Sequence, residues 1–133
     1  MNDLITTTQN TGLITFLHRN NNMPVIPKPF ERDIFLLDTY VAGTTHVVGI
    51  DDLEPYLNVG DKLNFFREPD NAYDSLAILI KNSDGVKIGY VPRKDNAVLA
   101  RLLDAGKLIF GRITDKEWQG DWLKIEIKIY LHE

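Results

Sequence analysis

Residues 122–131 alternate strictly between two kinds of side chain. Leucine or isoleucine occupies every odd position from 123 to 131, whereas the even positions carry Trp122, two lysines, a glutamate and Tyr130. Because successive side chains of a strand point to opposite faces, this pattern predicts a strand with one apolar face and one polar or aromatic face. The final segment therefore requires a sheet that is covered on one side.

A second segment, Leu76–Ile80, is apolar at every position. A continuous apolar run predicts a strand that is buried on both faces, as in a closed or covered sheet. The turn-forming residues 82–85 follow it and predict a hairpin with a returning strand. Together with the β-branched and aromatic segments of the chain, these patterns predict six strands, at 34–43, 63–66, 76–80, 86–91, 108–114 and 122–131, and a turn at 116–121.

One main helix is expected at about 95–105. Asp95 is a suitable N-cap, residues 98, 99, 102 and 103 form an apolar stripe, and Gly106 ends the helix. A short helical turn is predicted at about 51–57. Strands and helices do not alternate as they do in parallel α/β proteins. The sequence therefore predicts a mainly β fold (a β-rich α+β domain), a small and partly closed barrel of about six strands.

The length of 133 residues fits one domain. Residues 1–29 contain threonine and asparagine runs and three prolines, which predicts an irregular lead segment before a domain at 30–133. No run approaches the roughly 18 apolar residues that span a bilayer. The N-terminus has no export signal pattern, and cysteine is absent. We therefore expect a cytoplasmic protein without a membrane partner.

Charge is unevenly distributed along the chain. The formal net charge is −4, which argues against a non-specific coat on nucleic acid. Residues 1–61 carry three basic and eight acidic side chains, whereas residues 62–133 carry twelve basic and eleven acidic ones. An anion-binding surface is therefore expected in the second half of the chain, and it must be local.

The loop Arg67–Asp74 lies between two predicted strands and reads Arg-Glu-Pro-Asp-Asn-Ala-Tyr-Asp. Proline fixes φ, and Asp and Asn tolerate left-handed conformations, so the loop is expected to be rigid. A rigid loop with these side chains is a candidate recognition site. The alternative is a structural turn in which Arg67 pairs with Glu68 or Asp74 and Tyr73 covers the end of the barrel.

The sequence offers little for catalysis. It lacks the GxxxxGK[ST] phosphate loop of ATPases, and its three histidines do not have the spacing of metal ligands. No serine–histidine–aspartate set is suggested by local context. Asp51, Asp52 and Glu54 are either a cation site or solvated carboxylates that stabilise a helix start. We therefore expect no enzyme activity, no cofactor and no metal site.

An ordered set of motifs resembles the HIRAN domain over about residues 33–131. Its most specific part is the Arg67–Asp74 loop followed at a fixed distance by Ile88-Gly89-Tyr90-Val91-Pro92-Arg93. The other parts are Val41-Ala42-Gly43, Gly60-Asp61, Ala77-Ile78 and the helix before Gly106. The resemblance implies an OB-like barrel. It also implies a relation to domains that occur fused to helicase-like ATPases and nucleases, and whose eukaryotic members capture the 3′-hydroxyl end of single-stranded DNA.

The same resemblance implies roles for individual residues. Tyr73 and Asp74 match the pair that grips the terminal nucleotide, and Asn71 lies beside them in the loop. Tyr90 stands where eukaryotic members have a histidine, and Arg93 stands where they have a lysine suited to phosphate.

Three further residues complete the predicted site. Trp122 stands near the position at which family members have an aromatic residue that stacks on a base. Lys124 lies two residues further along the chain. After Gly43 the chain departs from the family pattern, because Thr45 and His46 replace an arginine and an aromatic residue. His46 is therefore either a base or phosphate contact or a structural residue.

These observations favour a non-enzymatic module that binds single-stranded DNA, DNA ends, or damaged or stalled DNA structures. A helicase or nuclease is the expected type of protein partner. The alternative is a protein-interaction adaptor that does not bind DNA. A metal-dependent nuclease would need clustered acidic residues on core strands, whereas the acidic residues here lie mostly in turns.

Overall fold

The computed structural model describes residues 31–133, so the predicted lead segment 1–29 lies outside the described residues. Six strands form one antiparallel sheet: β1 (Asp33–Tyr40), β2 (Lys62–Arg67), β3 (Ile78–Lys81), β4 (Lys87–Tyr90), β5 (Leu108–Gln119) and β6 (Trp122–His132). Between β1 and β2 lie a short helix, α1 (Ile50–Leu53), and 3-10 turns at Thr44–His46 and Glu54–Tyr56. The main helix, α2 (Arg93–Asp104), joins β4 to β5.

The sheet curls until its two edges approach each other. Its strand order is β1-β6-β5-β2-β3-β4. Just after β1, Ala42 exchanges two backbone hydrogen bonds with Tyr90 of β4, at 2.8 and 2.9 Å. The mainly β fold and the partly closed barrel of six strands are therefore confirmed, in the OB-like arrangement that the motif resemblance implies.

Closure of the barrel depends on a glycine. Gly89 has φ of +154°, and a Cβ atom there would lie 2.5 Å from the carbonyl oxygen of Ala42 and 2.5 Å from Val41. Real Cβ atoms do not approach other atoms this closely, so only glycine lets the two edges meet at this point.

The alternating segment is strand β6, and its isoleucines form the centre of the core. Leu123, Ile125, Ile127 and Ile129 are all at most 1% exposed. They pack with apolar residues of the other strands and of α2 in one hydrophobic cluster. The sequence prediction for this strand is confirmed.

The hairpin before β6 is longer than predicted. Strand β5 continues to Gln119, and the turn is made by Gly120 and Asp121, so the predicted turn at 116–121 is wrong. Residues 115–119 pair with β6 in register after a bulge between Ile113 and Asp115.

Strand β3 begins at Ile78, two residues later than predicted, so Leu76 and Ala77 belong to the preceding loop.

Helix α2 starts two residues earlier than predicted. Pro92 occupies the N-cap position, and no side chain caps the helix, so the prediction that Asp95 is the N-cap is wrong. Asp95 instead accepts a hydrogen bond of 2.6 Å from Thr39 of β1. Leu99 and Ala100 are buried, whereas Val98 of the predicted stripe is exposed. The helix ends at Asp104, and Gly106 follows two residues later with φ of +84°, in agreement with the predicted glycine stop.

Within residues 31–133, no helix has the length and apolar character that a membrane crossing requires.

Candidate nucleic-acid interface

Arg67, the last residue of β2, ties the two ends of the loop to α2. Its guanidinium donates to the carbonyl oxygens of Ala77 (2.9 Å) and Ser75 (3.1 Å), and it pairs with Asp104 at 3.0 Å. The loop ends also meet directly, because the Glu68 amide donates to the Ala77 carbonyl at 3.0 Å. The alternative in which Arg67 pairs with Glu68 or Asp74 is therefore wrong in its pairing, since Arg67 pairs with Asp104 at the C-terminal end of α2.

Asn71 organises the tip of the loop. Its Oδ1 accepts hydrogen bonds from the amides of Tyr73 (2.9 Å) and Asp74 (3.1 Å). Its Nδ2 donates to Glu68 at 3.1 Å, and its own amide donates to the Glu68 carbonyl. Such side-chain bonds to nearby amides are typical of asparagine in turns. They define the conformation of the loop tip, which supports the predicted rigidity of the loop.

Glu68 joins the loop to strand β4. The Tyr90 hydroxyl donates to Glu68 Oε1 at 2.8 Å, and Lys87 Nζ lies 4.8 Å from the Tyr90 ring centroid. Partial burial opposes ionisation of Glu68, but the hydrogen bonds from Asn71 and Tyr90 outweigh it and lower the pKa of this carboxyl. Burial and the bond to Glu68 raise the pKa of Tyr90. Glu68 is therefore ionised, and Tyr90 is held as a neutral donor.

Asp74 is held by both of its carboxylate oxygens. Oδ1 accepts from the amide of Leu76 at 2.9 Å, and Oδ2 accepts from the Asn96 side chain at 2.8 Å. These two bonds, with a weaker contribution from the Arg93 guanidinium 3.7 Å away, lower the pKa of Asp74. Each carboxylate oxygen has two lone pairs, so Asp74 keeps acceptor capacity for a ligand.

Arg93 and Tyr73 form the exposed edge of the site. The Tyr73 side chain points to solvent, with the residue 87% exposed, and its ring contacts no other aromatic or cationic group of residues 31–133. Arg93, the first residue of α2, donates to the Tyr73 carbonyl oxygen at 2.6 Å, and 72% of its side chain is exposed. The alternative that Tyr73 covers the barrel end as a packed side chain does not fit this exposure.

These side chains line a pocket of about 220 Å³ between the loop, β4 and the start of α2. We call it the β4–α2 pocket. Five of the eight residues predicted from the sequence line it: Asn71, Tyr73, Asp74, Tyr90 and Arg93. Its remaining walls are Ala42, Ala77, Val91 and Asn96.

The other three predicted residues do not line this pocket. His46 is exposed in the 3-10 turn after Gly43. Trp122 is partly buried and packs edge-on against Tyr40, with ring centroids 6.4 Å apart. Lys124 pairs with Glu126 at 3.5 Å. Lys94, the neighbour of Arg93 in the first turn of α2, has its Nζ 5.8 Å from the Tyr40 ring centroid. Because Trp122 packs against Tyr40, it borders the same end of α2 as Arg93.

Sequence reasoning missed Asn96, which is only 3% exposed and orients Asp74. Its position in the first turn of a predicted helix was the one available signal. Among the described residues, no group of three or more histidine, aspartate or glutamate side chains is arranged to hold a metal ion, and Asp51, Asp52 and Glu54 form no such group.

Comparison with known proteins gives one family. The family model described as the HIRAN domain matches residues 34–133. The helicase-like transcription factor of Oryctolagus cuniculus is 34% identical over an alignment 97 residues long, which covers 68% of this chain and 9% of that protein. The chain spans about a tenth of the length of the curated relatives it matches.

Solved structures share the fold. A crystal structure of a Lactobacillus plantarum protein superposes with a TM-score of 0.71 at 28% identity, over 77% of this chain and 98% of that one. The crystal structure of the human HLTF HIRAN domain gives a TM-score of 0.59 at 20% identity, over 75% and 78% of the chains. Its DNA-bound form, determined by NMR, gives 0.50 at 20% identity, over 74% and 78%. With its motifs, its barrel and this family match, the chain belongs to the HIRAN domain family.

Proposed function

We propose that this chain is a non-enzymatic DNA-binding module whose β4–α2 pocket receives the 3′-terminal nucleoside of a single strand. The observation that carries the proposal is the convergence of an exposed tyrosine ring, an ionised carboxylate and an exposed arginine on one pocket. These three groups match the three parts of a strand terminus, which are a base, a hydroxyl and a phosphate.

Tyr73 supplies the base-stacking surface. Its ring is exposed, while its backbone is fixed by the bond from its amide to Asn71 and by the bond from Arg93 to its carbonyl. A base that stacks on an aromatic ring contributes about 1–3 kcal/mol, with little preference among bases. The ring therefore supports binding that depends on unpaired bases and tolerates sequence variation.

Asp74 supplies selectivity for a hydroxyl end. Since its pKa is lowered, it is an ionised acceptor at neutral pH, and a 3′-hydroxyl is a donor that fits it. A 3′-phosphate at the same position would bring two negative groups together. The pocket is therefore expected to prefer a free 3′-hydroxyl over a phosphorylated end.

Arg93 is positioned for the phosphate that precedes the terminal nucleoside. Its guanidinium uses one hydrogen bond on the Tyr73 carbonyl and keeps further N–H donors for an anion. Beyond it, Lys94, Tyr40 and Trp122 continue along the surface, which makes Trp122 a second stacking position for the strand. We assign Lys124 and His46 only peripheral electrostatic contacts, because they lie outside the pocket.

Family membership supports this proposal. The HIRAN domain of human HLTF has a DNA-bound conformation and shares the barrel described above. The matched relative is a helicase-like transcription factor in which the similar region is a small part of the chain. We accordingly propose that a helicase or nuclease partner supplies any catalytic step.

A fluorescence anisotropy titration tests the proposal with one oligonucleotide that carries either a 3′-hydroxyl or a 3′-phosphate. We expect tighter binding of the hydroxyl form, and a loss of about 5- to 150-fold for Tyr73→Ala, which corresponds to about 1–3 kcal/mol. Tyr56→Ala is the matched control, because Tyr56 is similarly exposed but does not line the pocket.

Two outcomes would reject the proposal. Equal affinity for both oligonucleotides would reject recognition of the end. Absence of binding at low salt to either one would reject DNA binding and favour the adaptor alternative.

A further inference from the structure

A second surface of the barrel carries a row of cations across three neighbouring strands. In the sheet register, Lys62 of β2 lies opposite Arg112 of β5, and Arg112 lies opposite Lys128 of β6. Paired residues of adjacent strands point to the same side of the sheet. Neighbouring strands are about 4.8 Å apart, so the three side chains start from a regularly spaced row across the curled sheet.

Aromatic rings beside this row hold the cations in place. Phe110 stacks on Tyr130 with centroids 5.3 Å apart, and it is only 9% exposed. Lys62 Nζ lies 5.1 Å from the Phe110 centroid, and the Arg112 guanidinium carbon lies 5.6 Å from it. These cation–π contacts restrict the two long side chains, so less conformational entropy is lost when they bind an anion.

A groove of about 500 Å³ adjoins the row. Lys62, Phe110 and Arg112 line it together with Lys107, which follows α2. Asp33 also lines the groove and pairs with His132 at 2.7 Å. We call the surface formed by Lys62, Lys107, Arg112 and Lys128 the basic strand face.

The cations of this face differ from most others in their lack of acidic partners. Of the thirteen lysines and arginines in residues 31–133, seven lie within 4 Å of a carboxylate. The six that do not are Lys62, Lys81, Lys87, Arg101, Lys107 and Arg112. Three of these six belong to the basic strand face, and its fourth cation, Lys128, has only a long contact of 3.8 Å with Asp38.

We propose that the basic strand face is a second nucleic-acid contact that binds the phosphate backbone of duplex DNA without using a strand end. Charge complementarity identifies the occupant, because this row of cations, of which Lys62 and Arg112 lie within 4 Å of no carboxylate in residues 31–133, matches a linear polyanion. The covered ring of Phe110 offers no free face for base stacking, and the bases of a duplex are already stacked on one another, so the contact is made to phosphates. No residue of this face lines the β4–α2 pocket.

The test uses a dumbbell duplex closed by a hairpin at both ends, which has no terminus for the β4–α2 pocket. The full chain is titrated at several salt concentrations. We expect the slope of log K against log salt to fall in magnitude by about 1.8 in the double variant Lys62→Gln, Arg112→Gln, since each lost phosphate contact removes about 0.9. Glutamine keeps part of each aliphatic stem over Phe110, and thermal denaturation of the same variant verifies that it is folded.

Two controls separate this inference from the end-binding proposal. Arg101→Gln removes an unpaired arginine from α2 and is expected to leave the slope unchanged. Tyr73→Ala is expected to leave dumbbell binding unchanged while it weakens binding of a free 3′ end.

An unchanged slope in the folded double variant would overturn the inference. Competition by polyglutamate as strong as that by DNA would also overturn it, because the face would then fit acidic proteins.

Discussion

The buried side chain of Asn96 donates a hydrogen bond of 2.8 Å to the Asp74 carboxylate, which joins the first turn of α2 to the loop after β2. Asp74 is thereby fixed from two sides, since its other oxygen accepts from the Leu76 amide. The carboxylate that the proposed function depends on is therefore oriented before any ligand arrives.

This bond predicts the effect of Asn96→Ala. The substitution leaves Asp74 Oδ2 without its short side-chain donor, so we expect the free energy of unfolding to fall by about 1–3 kcal/mol. Urea denaturation measures this change. Val98→Ala is the control, because Val98 lies on the same helix but is exposed, and it should change stability by at most about 0.5 kcal/mol. Equal stability of the two variants would show that the bond does not hold the loop.

The lowered pKa of Asp74 predicts acid sensitivity. A carboxyl whose pKa is lower in the folded state contributes stability at pH above its unfolded value, here 3.8, and loses that contribution as pH falls through the folded pKa. We therefore expect Asp74→Asn to flatten the decline of unfolding free energy below about pH 4. Urea denaturation between pH 2 and pH 7 would show this, with Asp70→Asn as the control in the same loop. Parallel curves for the wild type and Asp74→Asn would contradict the assignment.

Closure of the barrel predicts an unequal cost for two glycine substitutions. Gly89→Ala places a Cβ atom 2.5 Å from the Ala42 backbone, whereas Gly85→Ala meets no atom within 4 Å. Both residues have positive φ, so both variants carry a backbone cost of roughly 1–3 kcal/mol. Gly89→Ala should be destabilised further, because Ala42 and Tyr90 must separate. Equal denaturation midpoints would contradict this account of the closure.

The contacts of Arg67 predict how easily the two ends of the loop separate. Lysine in its place cannot donate to Ala77, Ser75 and Asp104 at the same time. We expect local opening of the loop to become easier by about 1.5–3 kcal/mol in Arg67→Lys. Hydrogen exchange at the Glu68 amide, which bonds to Ala77, reports this opening. Arg101→Lys should leave that amide unchanged, and equal exchange in both variants would contradict the role of Arg67.

Much of the fold is predictable from the sequence, because the side chains that are buried are those that the alternation of apolar and polar residues places on one face of a strand. The isoleucines of β6 face the core as their spacing predicts. The pattern fails at residues 115–119, where mostly charged and polar side chains, with the exposed Trp118, lie outside the core although their strand pairs with β6. Such a strand is held by its partner and not by its own apolar face, so periodicity does not reveal it.

The pocket is predictable where its residues are adjacent in sequence. Asn71, Tyr73 and Asp74 form one turn, and turn chemistry identifies it. The family resemblance identifies Tyr90 and Arg93. The partners Glu68–Tyr90 and Asp74–Asn96 are each 22 residues apart and meet only after the barrel closes, so no local pattern could pair them.

The central claim is that the β4–α2 pocket holds a 3′-hydroxyl end. The most direct test is a titration followed by NMR, with a short single strand ending in a 3′-hydroxyl and then with the same strand ending in a 3′-phosphate. We predict that the amide signals of Tyr73, Asp74 and Arg93 shift at lower concentrations of the hydroxyl strand than of the phosphate strand. Shifts that avoid these three residues, or that appear equally with both strands, would contradict the claim.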